Sequence, residues 1–411
     1  MAPFPLPVEA LLTKGGAYFL YLLIGIGFGY ALEISGFAIS TKLAGQFYFK
    51  DMTVLKVMFT AIVVAMVLIF GATALGLLDF NLIWVNPTYL WPGIVGGLIM
   101  GVGFIIGGFC PGTSLVSMAT FKIDGLFFAL GSLFGIFVFG ETVDLFYEWW
   151  NNSYYGRITL MDVFGLPAGV VVILVVLMAL FMFWGGEKLE AIFGKKDLSK
   201  EPKWRYAAAG TLLAGAVAVM LLGQPTTADK WAQLEPTKQA ALDNREVQVS
   251  PGELLATTEN KQVNLVLLDV RDEADYNLFH LRGAQHLPLE QVAGAIPALL
   301  LEPAASTVYI LMSNDEAAAT EAWKVMTAES VPNLYILEGG INNWLKTFSA
   351  AIPEIQPTPT PSGMDRLNYI FPAALGDRYE AADPSPHEYE LEFTPKIQLQ
   401  SKRGPSGGGC G

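Results

Sequence analysis

Six apolar stretches, each close to the length needed to cross a lipid bilayer, fill the first half of the 411-residue chain. A membrane-spanning helix needs about 20 predominantly apolar residues. Hydropathy places such runs at roughly 16–34, 57–78, 92–109, 125–145, 164–186 and 205–223. The first run lacks a basic leader and an A-x-A-like site, and Glu33 and Lys42 follow it, so it is expected as a retained span rather than a signal peptide. The whole chain is 53% hydrophobic and 15% charged, against about 25% charged in ordinary soluble proteins. Nearly all the apolar excess lies before residue 223. The expected architecture is therefore a polytopic α-helical membrane domain followed by a separate C-terminal part.

Charge orients the helices and excludes some partners. Basic residues in short loops mark the cytoplasmic side. Lys42, Lys50 and Lys56 lie between spans one and two, Lys122 between three and four, and Lys188, Lys195, Lys196, Lys200, Lys203 and Arg205 between five and six. The opposite loops hold Asp79, Glu148, Trp149 and Trp150, with Lys14 and Arg157 as their basic residues. Both ends of the chain are thus expected outside an inner (plasma) membrane, with the C-terminal domain periplasmic or otherwise extracytoplasmic. The net charge of -13 leaves no basic patch for phosphates, so nucleic acid is not an expected partner. Two cysteines, Cys110 and Cys410, rule out a disulfide framework or a cysteine-rich metal site. No nucleotide-binding motif appears, and neither a cofactor nor a resident metal is expected.

An internal repeat marks the candidate site. Gly27-Phe-Gly-Tyr-Ala-Leu followed by Ser35-Gly-Phe-Ala38 returns as Gly101-Val-Gly-Phe-Ile-Ile followed by Gly107-Gly-Phe-Cys110. Each copy reads as a glycine-rich helix, a sharp break and a hydroxyl-bearing restart, Ser40-Thr41 in one and Thr113-Ser114 in the other. Broken helices at repeat interfaces aim the unpaired N–H groups of a helix start at an anion. Close packing of glycine faces is the structural alternative. Cys110 precedes Pro111, a residue suited to a first helical turn, and a thiol at a helix N-terminus is biased toward thiolate. It either contacts a passing sulfur anion or fills space as a small apolar group. Glu33, Glu141 and Asp144, at or near the spans, either relay protons or cap helices.

The stretch Gly96-Gly-Leu-Ile-Met-Gly-Val-Gly-Phe-Ile-Ile-Gly-Gly-Phe-Cys-Pro-Gly-Thr-Ser114, with the earlier Ser35-Gly-Phe-Ala38, resembles the signature of YeeE/YedE-type membrane proteins. The resemblance implies thiosulfate uptake along a narrow central path lined by cysteines, with short re-entrant helices. It places Cys110 at the signature cysteine of the second motif and Ala38 where the first motif has its thiol. The resemblance covers about residues 16–145, and the membrane part is shorter than in full-length members, an absence a homodimer would make good. Gly108, Thr113, Ser114, Ser35 and Gly36 join Cys110 as candidate substrate-binding residues.

Residues 224–246 are polar and read as a linker or short helices. From 247 to 355 strands alternate with helices: 263–268, 308–312 and 333–337 are short buried strands, and 316–326 is an apolar-periodic helix. This predicts an α/β unit with a parallel sheet. Leu268-Asp-Val-Arg271, His280-Leu-Arg-Gly-Ala284 and Leu337-Glu-Gly-Gly-Ile-Asn-Asn-Trp344 together resemble the rhodanese fold. That resemblance implies a cysteine after the second buried strand, opening a loop of N–H groups that cradles a persulfide or oxyanion. Here the stretch reads Leu311-Met-Ser-Asn-Asp-Glu-Ala317. Serine cannot carry sulfane sulfur, and Asp315 and Glu316 repel anions, so the domain is expected to be catalytically silent. It is then a docking module for itself or a sulfur-carrying partner, or it positions sulfur chemistry done by another cysteine. Asp269, Arg271, His280 and Arg282 read as fold residues.

Residues 356–411 follow as an extended tail ending in Gly407-Gly-Gly-Cys-Gly411. This end resembles the Gly-Gly-Cys-Gly-Gly arm of SoxY sulfur carriers, which implies a carrier role for Cys410. The alternatives are a disordered tail and a thiol that binds a metal or partner. Three functions follow from the whole chain: import of a small sulfur anion, a sulfur relay through Cys410, and a membrane-anchored adaptor.

Overall fold

The computed structural model describes residues 3–198, 202–301, 306–358, 365–389 and 392–399. The chain divides into two compact units, one running to Gln224 and one beginning at Pro225.

The first unit contains helices α1 (Val8–Ile34), α2 (Ser40–Ala44), α3 (Thr53–Ala74), α4 (Leu90–Gly107), α5 (Pro111–Ala119), α6 (Ile123–Thr142), α7 (Tyr147–Trp150), α8 (Leu160–Phe164), α9 (Ala168–Phe193) and α10 (Trp204–Leu222). A two-stranded ribbon pairs β1 (Thr88–Tyr89) with β2 (Tyr154–Gly156). Six segments among the described residues are long and apolar enough to cross a membrane: Leu11–Ile34, Thr53–Ala74, Leu90–Ala119, Ile123–Trp150, Ala168–Phe193 and Trp204–Leu222. Their apolar side chains point outward to a degree water would penalise, as at Ile106, Leu133 and Phe137. That surface is what a bilayer solvates. Inside the unit, α3, α9 and α10 pack through Val63, Val172, Val176, Ala179, Ala216 and Val219. The small residues Ala179 and Ala216 at this seam let the backbones approach, and the valines fill the space around them. One buried carboxylate ties α9 to the start of α3: Glu190 accepts from Met52 N (3.2 Å), Lys56 Nζ (2.8 Å) and Lys196 Nζ (3.2 Å).

The second unit opens with α11 (Thr227–Asp243), capped by Thr226, whose hydroxyl accepts from Asp229 N. Its other elements are β3 (Gln248–Val249), α12 (Pro251–Thr258), β4 (Asn264–Asp269), α13 (Glu273–Leu278), β5 (Gln285–His286), α14 (Val292–Leu301), β6 (Thr307–Met312), α15 (Ala317–Ala328), β7 (Leu334–Leu337), α16 (Gly340–Phe348), β8 (Gln356–Pro357) and β9 (Tyr369–Ile370). Five strands form a parallel sheet in the order β3-β7-β6-β4-β5. A sheet covered on both faces needs apolar residues at every position of its central strand, and all six residues of β6 are buried. Val308, Ile310 and Met312 face one core with Leu254, Trp344 and Phe348. Tyr309 and Leu311 face the other with Trp323, Met326 and Leu242.

Two segments outside the sheet region enter these cores. In residues 224–246, α11 brings Leu242 and Trp231 against α15, with Trp231 edge-on to Trp323 at 6.1 Å. Lys230 Nζ reaches Glu329 at 2.6 Å beside them. From the tail, Tyr379, Ala381 and Ala382 are core residues of the other face, and Leu367, Phe371, Tyr389 and Ile397 pack on it. Trp344 Nε1 donates to the carbonyl of Ala381 at 2.7 Å.

Candidate functional site

The two sequence breaks are structural equivalents, and they meet. Helix α1 ends at Ile34 and the chain turns at Gly36 with φ +79°; α4 ends at Gly107 and turns at Gly108 with φ +72°. Both glycines take the left-handed conformation that favours residues without a Cβ. The residue after each, Phe37 and Phe109, is 1% exposed, and the two share one buried cluster with Leu43 and Val54. A Cβ on Gly108 would come within 2.9 Å of the Ser40 carbonyl oxygen, so glycine is required there by space as well as by φ.

Cys110 is the N-cap of α5, in extended conformation with Pro111 next. Its backbone N–H donates to Thr113 Oγ1 (2.9 Å), and Thr113 N–H donates to Cys110 Sγ (3.4 Å). This reciprocal box satisfies orphan donors of the first turn and sets the sulfur at the positive end of the helix. Cys110 stays partly exposed while Thr113 and Ser114 are buried. The Thr113 hydroxyl lies 3.2 Å from Sγ, so Thr113 orients the thiol. The Ser114 hydroxyl donates to the Pro111 carbonyl (2.7 Å), and that of Ser35 to the Ala31 carbonyl (2.7 Å). The structure thus brings Cys110, Thr113 and Ser114 onto one turn and sets Gly108 against Ser40. Ser35 and Gly36 sit with Lys42, whose Nζ donates to the Ser35 carbonyl at 2.9 Å. Lys42 was legible as a loop cation, and its role at the end of α1 was not. Glu33 pairs with Lys122 at 3.7 Å. Cys410 lies outside the described residues.

The loop after β6 is the second place where sequence pointed to chemistry. Ser313, the first residue beyond the strand, is fully buried, and its Oγ accepts from Ala319 N (3.2 Å). Asn314 Oδ1 accepts from Arg271 Nη1 (3.2 Å), while its Nδ2 donates to Asp275 Oδ2 (2.6 Å). Arg271 is anchored by Asp269 through Nε (2.9 Å) and Nη2 (2.6 Å), both residues being buried. The Asp315 carboxylate accepts from the N–H groups of Glu316, Ala317 (2.8 Å) and Asp365 (2.7 Å). Asp365, from the tail, accepts in turn from Asp315 N (2.9 Å) and Ala318 N (2.6 Å). Glu316 is held bidentately by Arg245, and this pairing raises the Arg245 pKa above its ordinary value. Gly340, at φ +59°, crowds the carbonyls of Ser313 and Asp315 too closely for any Cβ. Sequence reasoning located this loop but missed Asp365, which stands 50 residues away. Among the described residues, no group of three or more His, Cys, Asp or Glu gathers as metal ligands do.

Comparison with known proteins finds one family for the helical part and another for the α/β part, the first match running on through α11. A family model described as "Sulphur transport" matches residues 35–244, just over half of the chain. A model described as "Rhodanese-like domain" matches residues 250–347. The thiosulfate transporter TsuA of Spirochaeta thermophila is 25% identical over 214 residues, covering 47% of this chain and 59% of that protein. The chain therefore spans less than two thirds of that transporter's length. The thiosulfate sulfurtransferase GlpE of Pseudomonas fluorescens is 30% identical over 93 residues, covering 22% of this chain and 81% of the enzyme. A rhodanese-like domain from Anabaena sp., solved in solution, aligns at 22% identity over 30% of this chain and 91% of its own, with a TM-score of 0.22. With its six apolar helices, its repeated glycine breaks and the α/β unit that follows them, the chain belongs to the Sulphur transport family and carries a fused rhodanese-like domain.

Proposed function

We propose that the helical unit moves a small sulfur-containing anion, thiosulfate before others, across the inner membrane past Cys110. The observation that carries this reading is the Cys110 sulfur at the start of α5, partly exposed, oriented by Thr113 and set beside the paired glycine breaks. A polarizable sulfur at the positive end of a helix suits a soft anion. Helix α4, with 18 residues, is about 27 Å long and close to a full hydrocarbon thickness; α5, with nine, is about 13 Å and cannot cross. We read α5 as the re-entrant half-helix of the second repeat and α2 as its shorter counterpart. Gly36 and Gly108 make the breaks, and Ser35, Thr113 and Ser114 hold them through backbone bonds. A second copy of the chain would supply the path elements missing from this one.

The rhodanese-like domain is, on this reading, extracytoplasmic and catalytically silent, and it docks a sulfur-carrying partner. Ser313 stands where a thiol would be needed, and carboxylates hold the loop N–H groups that would cradle an anion. Uptake of radiolabelled thiosulfate by cells lacking other sulfur importers tests the proposal. Wild type takes up label, Cys110→Ser does not, and a truncation ending at residue 400 retains uptake. No uptake by wild type rejects thiosulfate import. Loss on truncation brings the segment bearing Cys410 into the mechanism.

A further inference from the structure

The loop after β6 presents its backbone N–H groups as an anion cradle would, and a ligand already lies in it. Asp365 accepts from Asp315 N at 2.9 Å and Ala318 N at 2.6 Å, while its own N–H donates to Asp315 Oδ2 at 2.7 Å. Two carboxyl groups therefore exchange hydrogen bonds with each other's backbone across a 50-residue separation. The segment behind Asp365 is fixed on the same side of the domain. Arg366 O accepts from Asn342 Nδ2 (2.8 Å), Asn368 N donates to Asn342 Oδ1 (2.8 Å), and Asp365 O accepts from Asn314 Nδ2 (3.1 Å). Asp365 adopts φ +54°, a left-handed conformation that Asp and Asn tolerate better than most residues. Strain of this kind persists where the surroundings over-determine it.

We propose that the ligand of this loop is the chain's own Asp365, and that the Asp315–Asp365 pair is a proton-sensitive latch holding the tail in the cradle. Two carboxylates each bonded to the other's backbone N–H repel when both are ionised, and that repulsion is relieved when one takes up a proton. Burial raises the Asp365 pKa, outweighing the N–H groups of Asp315 and Ala318, which lower it, and the neighbouring Asp315 carboxylate adds to the rise; Asp315, although partly buried, is lowered by the N–H groups it accepts from. The signs follow from linkage. Asp365, raised, contributes stability that is present at low pH and lost as pH rises through its folded value. Asp315, lowered, contributes stability that is present above its ordinary value and lost as pH falls. The latch is therefore strongest when the pair holds one proton, and it loosens toward alkaline pH.

The other charged groups around the pair are engaged elsewhere. Asp275 accepts from Asn314, Arg271 donates to Asn314 and Asp269, and Glu316 is bound by Arg245, which also reaches Glu338 at 3.0 Å. Arg366 adjoins Asp365 in the chain.

Hydrogen exchange on the full chain in detergent micelles, read as protection factors from about pH 4 to 8, tests this. In wild type, protection of the Asp315 and Ala318 amides falls about tenfold as pH rises, a change of about 1.4 kcal/mol. Asp365→Asn, which cannot ionise and whose single acceptor oxygen can serve only one of the two amides, makes the protection of both flat with pH. Asp365→Ala loses about tenfold in protection at every pH. The Ile341 amide, which donates to Ser313 O at 2.9 Å, stays protected in all three and reports that the domain is folded. A wild-type pH profile in Asp365→Asn overturns the proposal, as does wild-type protection in Asp365→Ala. Should Asp365→Ala also expose Ile341, the Asp365→Asn profile decides.

Discussion

Gly108 lies against Ser40 with so little room that one added methyl group would press on the Ser40 carbonyl at 2.9 Å. This contact joins the two halves of the internal repeat. It turns a sequence similarity into a physical constraint, because the break in α4 and the start of α2 occupy one another's space.

Gly108→Ala combines that clash with a left-handed φ and should destabilise the helical unit by on the order of 1–3 kcal/mol. Gly103→Ala, in the same helix with open space around its Cβ, is the control and should be neutral or slightly stabilising. Thermal unfolding of the detergent-solubilised protein compares the two. Equal melting temperatures would show that the breaks do not pack as described.

Cys110→Ser should leave the fold intact, since serine is a better N-cap than cysteine and its hydroxyl can take the Thr113 N–H. Thiosulfate uptake should nonetheless fall about tenfold or more, a loss of about 1.4 kcal/mol per decade. Undiminished uptake at normal expression would make Cys110 a space-filler.

Glu190→Leu removes the shared acceptor of Met52 N, Lys56 and Lys196 and leaves a buried backbone donor without its partner. The expected cost is about 1–3 kcal/mol. It is moderated because the two lysines are 25% and 38% exposed and can turn to solvent. Glu190→Gln, which keeps an acceptor for Met52 N–H, should lose less. An unfolding series in which both variants match wild type would mean the tie between α9 and α3 contributes nothing.

Ser313→Cys places a thiol at the head of the loop after β6, yet it should not create thiosulfate sulfurtransferase activity. The N–H groups needed to cradle a persulfide or oxyanion already serve Asp315 and Asp365. Measurable sulfur transfer to cyanide by this single variant would show that the loop is open and that only the thiol was missing.

The spans, the three buried strands and the repeat were legible because each announces itself locally. A run of some 20 apolar residues has few fates other than a membrane helix, and β6 reads as a strand because Val308 to Met312 are apolar or aromatic throughout. Strands β3 and β5, at two residues each, are too short to show any alternation. Helix α11 was hidden by polar composition: its apolar contacts reduce to a few residues such as Trp231 and Leu242, and Pro236 interrupts the pattern. At the site, Cys110 was readable as standing near a helix start because Pro111 follows it, whereas its reciprocal bonds with Thr113 were not. The Ser35 and Ser114 hydroxyls were readable as present but not as already committed to backbone carbonyls. The roles of Asp365 and Glu190 were not readable, since Asp315 and Met52, which they bind, stand 50 and 138 residues away and come close only on folding.

The tail residues that complete one face of the sheet carry a consequence for how the protein is made. Tyr379, Ala381 and Ala382 lie in the same apolar cluster as Val308 and Trp344, and Ile397 packs against it. Domains generally fold as units while the chain emerges from the ribosome. This one is still short of a wall when its last sheet strand, β7, has been synthesised, because some sixty further residues supply the missing side chains. The nascent α/β unit thus exposes an apolar face for that interval, after the six long apolar helices found among the described residues have been made. Synthesis order makes a holding factor most useful here, late in translation and on this face of the sheet.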